Sequence, residues 1–79
     1  MSIDGANGDA TIGGRDYGGH ALDQMQGRGI PPSAVENAIQ NGVESPDSIP
    51  GRLQHYDPLN NITVITEGGR VVTVHPGGG

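Results

Sequence analysis

The feature that most constrains this chain is what it lacks to build a core: 79 residues contain 15 glycines and no Phe, Trp or Cys. Glycine loses more backbone freedom on folding than any other residue, and without large aromatic side chains little apolar area can be gathered in return. Disulfides cannot supply the missing stability, and the cysteine count gives no indication of redox compartment. The length fits one small domain whose single core contributes only a few kcal/mol. Marginal stability is therefore expected, with a bound partner as the remaining source of support. No apolar run approaches the roughly 20 residues of a membrane-spanning helix, and the start lacks the basic and apolar regions of a signal peptide. A soluble domain cut from a larger protein is expected.

Charge limits the choice of partner. Four arginines, no lysine and nine acidic residues give a net charge of −5, whereas nucleic-acid binders usually carry a basic footprint. Net charge does not set the local potential of a cleft, however. An acidic surface also suits docking to a basic partner, or simply confers solubility.

Composition divides the chain. Residues 1–14 hold four glycines and two isolated isoleucines, so they read as a flexible leader or linker remnant. From Asp16 onward Ala21, Leu22 and Met25, together with Tyr17, recur at helical spacing, and Gly27 and Gly29 flank Arg28 as stop signals. A second helix is marked by Ser33 as N-cap with Glu36 three residues on, by the stripe of Val35, Ala38 and Ile39, and by Asn41-Gly42 at its end. Val43 to Gly51 reads as an extended surface loop. Three strands follow over Leu53 to Asp57, Asn61 to Thr66 and Arg70 to His75, the last two forming a hairpin through Glu67-Gly68-Gly69. Strand alternation predicts that Val64, Val72 and Val74 pack under the helices while Thr73 and His75 share the other face. Of His55 and Tyr56, which alternate, Tyr56 is predicted by its size to point inward. The fold class is thus α+β, two N-terminal helices packed on a small antiparallel sheet of three or four strands. The domain runs over residues 15–76, and residues 77–79 form a frayed tail.

Several chemistries are disfavoured. Three histidines spaced by 35 and 20 residues, with no cysteine, match no zinc pattern. There is no Gly-Lys-Ser/Thr phosphate loop and no dinucleotide-binding strand-to-helix context, so no cofactor and no metal are implied. The serines lie in the leader, at a cap or in a loop, which argues against a serine hydrolase.

What remains is a set of His, Arg, Tyr and Thr. His20 at a helix start can transfer protons, since histidine titrates at about 6.5; the simpler alternative is a solvated histidine. Arg28 can clamp a phosphate with its planar donor fork, or merely complement the dipole at a helix C-terminus. Tyr56 can donate to a phosphate or stack on a base. Thr73 and His75, two apart on one strand, can place a hydroxyl and an imidazole beside one substrate group, although β-propensity alone also accounts for Thr73.

The run from Gly19 to Ser33, with His20, Met25 and Arg28-Gly29-Ile30, is followed by Val35-Glu36, His55-Tyr56-Asp57-Pro58, Asn60 to Thr66 and Gly69 to His75. Together these segments resemble the C-terminal toxin domains of bacterial polymorphic and contact-dependent inhibition systems. More closely, they resemble the barnase, EndoU, colicin and RelE-like fold group, over about residues 17–76. The resemblance implies a metal-independent endoribonuclease, commonly directed at tRNA, in which 2′-OH attack yields a 2′,3′-cyclic phosphate. It implies secretion as the C-terminal part of a larger bacterial protein, action in the cytoplasm of the target cell, and neutralisation by a cognate immunity protein. His20 and Arg28 would serve as acid/base and phosphate clamp, and Tyr56, Thr73 and His75 as orienting or proton-transfer groups. The alternative, from another class, is a non-catalytic acidic binding or inhibitory module that docks to a partner protein.

Overall fold

The computed structural model describes residues 8–78; residues 1–7 of the expected leader and residue 79 of the expected tail lie outside the described residues. Eight elements follow in order: β1 (Ala10–Ile12), β2 (Arg15–Tyr17), α1 (Gly19–Arg28), α2 (Pro32–Asn41), β3 (Val43–Pro46), β4 (Arg52–Asp57), β5 (Ile62–Glu67) and β6 (Arg70–Pro76). The strands form one six-stranded sheet in the order β1-β2-β6-β5-β4-β3. All neighbours are antiparallel except β2 and β6, which run parallel at Tyr17 and Val71.

This corrects the expected three- or four-stranded antiparallel sheet behind two N-terminal helices. Two strands precede the helices, and a third follows them directly. The hairpin β1-β2 is closed by Gly13-Gly14 and has only three residues per strand, too few for alternation to emerge from the sequence. Its anchor is Tyr17, the largest side chain in the core at 1 % exposure, which ends β2 and is not part of the helical stripe. β3 pairs with β4 from Val43↔Tyr56 to Pro46↔Leu53. Pro46 is tolerated there because it stands at the end of an edge strand, where no further ladder bond is needed.

Both helices lie on one face of the sheet, α1 over β6 and α2 over β4 and β5. Ala21 and Met25 of α1 and Val35 and Ala38 of α2 meet Tyr17, Ile62, Val64, Val71 and Val74 in a core of mostly small side chains. The start of α1 has no capping side chain of its own at Gly18. Instead the Asp9 carboxylate accepts the Gly19 N–H at 3.0 Å and the Arg70 guanidinium at 2.7 Å, placing negative charge at the positive end of the helix dipole. The helix stops at Gly29, where the Ile30 N–H returns to the Met25 carbonyl at 2.8 Å.

The N-terminus of α2 differs from the expected capping box. Pro31 is the cap residue and Pro32 opens the helix, because the fixed φ of proline suits the first turn and its missing N–H leaves nothing to cap. Glu36 is thereby released for another role. It accepts two bonds from Arg15, at 3.1 and 2.7 Å, and one from Gln40 at 2.8 Å, fastening the β1-β2 hairpin to α2. The end of α2 is equally constrained. A methyl group on Gly42 would collide with the Ala38 carbonyl and come within 2.6 Å of the Tyr56 oxygen, so only glycine lets the chain turn from α2 into β3.

An irregularity between β5 and β6 at Ile65/Thr66 shifts the register. As a result Val71 and Val74 are fully buried and Val72 is only half-buried, where strict alternation placed Val72 with Val74. One extra residue in a strand has this effect, since the side-chain period is two.

Candidate functional site

Register assigns each expected site residue to a face. On α1, His20, Gln24 and Arg28 recur every four residues and so form one stripe. His20 and Arg28 are both exposed and line one shallow groove of about 420 Å³ with Asp23, Gln24 and Gly27. Successive members of the stripe are about 6 Å apart along the axis.

The cations are unequally committed. Arg15 is held by Glu36, Arg52 by Glu67 at 3.0 Å and Arg70 by Asp9. Among the described residues, Arg28 is the one arginine without an acidic partner. Its guanidinium and the His20 imidazole line the same groove.

The side chain of Gln24 joins this stripe to the sheet: its Oε1 accepts the Val74 N–H at 2.9 Å. Gln24 stands one turn from His20 and one from Arg28, and Val74 stands between Thr73 and His75. The bond ties the helix to the strand, but it does not merge the two pairs of expected site residues: His20 and Arg28 belong to the helix-covered face of the sheet and Thr73 and His75 to the other. Thr73 and His75 project to the face that carries no helix, as alternation predicts, because they pair with Ile65 and Thr63. The His75 Nδ1 lies 3.0 Å from the Pro76 carbonyl. A carbonyl can only accept, so Nδ1 is the donor in this contact.

The fifth, Tyr56, lies two strands away on the same helix-free face. Tyr56 pairs with Thr63, and Thr63 with His75, so the three form a row across β4, β5 and β6 with about 5 Å per step. The tyrosine ring is fixed by its hydroxyl, which donates to Asn61 Oδ1 at 2.9 Å.

The expectation that Tyr56 points inward is reversed. His55 pairs with Val64 on the helix-covered face and is 4 % exposed, so sheet register overrides side-chain size. Its Nε2 meets Thr66 Oγ1 at 2.9 Å. Its buried Nδ1 has no hydrogen-bond partner among the described residues, and the nearest carboxylate oxygen, Glu44 Oε2, is 3.9 Å away. Burial pushes the imidazole below its ordinary value of 6.5, an effect that Arg15 reinforces and Glu44 opposes. His55 is a neutral core residue.

Two residues in or beside these groups were not singled out by sequence: Asp23 and Thr63. The spacing i, i+3 from His20 could have found the first. Thr63 needed the register.

Among the described residues, no helix is long and apolar enough to cross a membrane. No family model, no curated protein and no solved structure gives a significant match to this chain.

Proposed function

We propose that this domain is a metal-independent endoribonuclease of the antibacterial toxin type, with tRNA as its substrate and an immunity protein as its partner. The observation that carries this reading is the groove on α1 that His20 and Arg28 line together, with no carboxylate partner for Arg28 among the described residues. An imidazole and a guanidinium side by side supply a proton-transfer group and a phosphate clamp, the parts that RNA cleavage without a metal uses.

In this scheme the His20 imidazole takes the proton of the ribose 2′-OH as that oxygen attacks the adjacent phosphorus. It then returns the proton to the departing 5′-oxygen, leaving a 2′,3′-cyclic phosphate and a free 5′-hydroxyl. Arg28 donates to the equatorial phosphate oxygens as negative charge grows on them. Thr73 and His75, on the helix-free face, would contact the bound strand away from the reacting phosphate, and Tyr56, about 10 Å further across that face, would meet a base.

The acidic docking module is favoured by a different observation: three of the four arginines are already neutralised by carboxylates, in a chain of net charge −5. Expression in bacteria separates the two. A ribonuclease toxin arrests growth, and Arg28→Ala relieves the arrest; a docking module leaves growth unchanged in either form.

A further inference from the structure

After β6 the chain does not leave the sheet. Gly77 turns with φ of 85°, and its N–H donates to the Asn61 carbonyl at 2.7 Å. Its own carbonyl accepts the Thr63 hydroxyl at 2.7 Å. The next residue then comes to the aromatic ring beside it: a methyl group placed on Gly78 would stand 3.6 Å from Tyr56 Cε1 and 3.8 Å from Cζ. Thr63 is fully buried although no helix covers its side of the sheet, and this returning segment is what lies over it.

The groups that receive the segment have a definite chemistry. An aromatic ring held by its own hydroxyl bond offers a flat stacking surface, and one step along the row a threonine hydroxyl offers a donor. The Gly77-Gly78 segment meets both: Gly78 sits beside the ring, so close that a Cβ there would be in van der Waals contact with it, while the Gly77 carbonyl oxygen takes the hydroxyl. A nucleobase combines the same two features, a planar π surface and an acceptor oxygen or nitrogen at its edge.

We propose that Tyr56 and Thr63 form a nucleobase subsite, and that the Gly77-Gly78 turn occupies it as an internal competitor. The ligand is a planar base with an edge acceptor, and the competitor leaves when Gly77 can no longer hold its turn. Only the choice of RNA as the physiological source of that base rests on the ribonuclease reading.

The test uses the full chain with Gly77→Val, which strains the turn; nothing lies within 4 Å of a Cβ at that position, so the substitution adds no clash. Uridine 5′-monophosphate is titrated while the ring resonances of both tyrosines are followed by NMR, with buried Tyr17 as the internal reference. Gly77→Val is expected to bind the nucleotide roughly five- to hundredfold more tightly than the parent, the range that one base–aromatic stack supplies. The shifts should be confined to Tyr56, and the gain should disappear when Thr63→Val or Tyr56→Ala is added. Equal affinity in parent and Gly77→Val overturns the proposal, as does a gain that survives both added substitutions. A chain ended after Pro76 gives a second, strain-free opening that must behave in the same way. tRNA cleavage by the same proteins separates the two ideas. Cleavage without tighter nucleotide binding removes the subsite and keeps the enzyme, and tighter binding without cleavage keeps the subsite and removes the enzyme.

Discussion

Gln24 accepts the backbone N–H of Val74 at 2.9 Å, so a helix side chain takes the place of a missing strand. β2 pairs with β6 only at Tyr17↔Val71, and beyond that point the outer edge of β6 needs another partner. Replacing Gln24 with Leu removes the acceptor and leaves the amide of the fully buried Val74 unpaired, at an expected cost of about 1–3 kcal/mol in urea unfolding. Gln24→Glu keeps an acceptor oxygen and is expected to retain most of that stability. Equal losses in the two variants would show that side-chain volume, rather than the bond, matters at this position.

Gly42 is the most restrictive glycine in the fold. With the Tyr56 carbonyl oxygen 2.6 Å from an added Cβ, neither α2 nor β4 can yield without breaking its own hydrogen bonds. Gly42→Ala is expected to destabilise by about 3 kcal/mol, the upper part of the range for overpacking. That is a large share of the stability of so small a domain. Thermal unfolding followed by circular dichroism measures it, and Gly27→Ala, where nothing lies within 4 Å of a Cβ, serves as the harmless control.

Burial of His55 ties stability to pH. Its value in the folded chain lies below the ordinary 6.5, with burial as the main cause, Arg15 acting in the same direction and Glu44 against it. Because the unfolded chain takes up the proton more readily, this contribution to stability is fully present above pH 6.5. It declines as the pH falls below that value toward the lowered folded one. Melting temperature is therefore expected to drop on acidification from pH 7 to 5, and His55→Gln, which can still bond to Thr66, is expected to flatten the profile across that interval. An unchanged slope in the variant would assign the acid sensitivity to other groups. The Arg15–Glu36 pair is one such group, since bonding to Arg15 holds Glu36 below its ordinary 4.5; its contribution is present above that value and lost at still lower pH.

How much of this was legible in the sequence depended on whether one element carried its own signal. Val35, Ala38 and the Asn41-Gly42 stop marked α2, and Gly68-Gly69 between two apolar runs marked the β5-β6 hairpin. The strands that were missed get their identity from elsewhere. β1 and β2 are held by Tyr17 under the helices, and β3 by pairing to β4 in spite of a proline and a serine in a four-residue strand. His55 and Tyr56 were assigned to the wrong sides because size was weighed before register, and Val72 was displaced by an irregularity that leaves no mark on hydropathy. For the site, alternation was enough to put Thr73 and His75 on one face. The bond that ties their strand to the helix carrying His20 and Arg28 joins residues 50 apart in sequence, and no local pattern could announce it.

The most direct measurement is cleavage of total bacterial tRNA by the purified domain in EDTA, resolved on a denaturing gel with the new 3′ ends identified chemically. The parent is expected to give fragments ending in 2′,3′-cyclic phosphate. His20→Ala is expected to slow their appearance by about 10²–10⁴-fold, as for loss of a proton-transfer group, and Arg28→Ala by about 10²–10³-fold, as for loss of a charge-stabilising donor. Both variants should keep the parent's circular dichroism. Intact tRNA with the folded parent, cleavage that appears only when magnesium is restored, or full activity in both variants would contradict a metal-free site in the groove of His20 and Arg28.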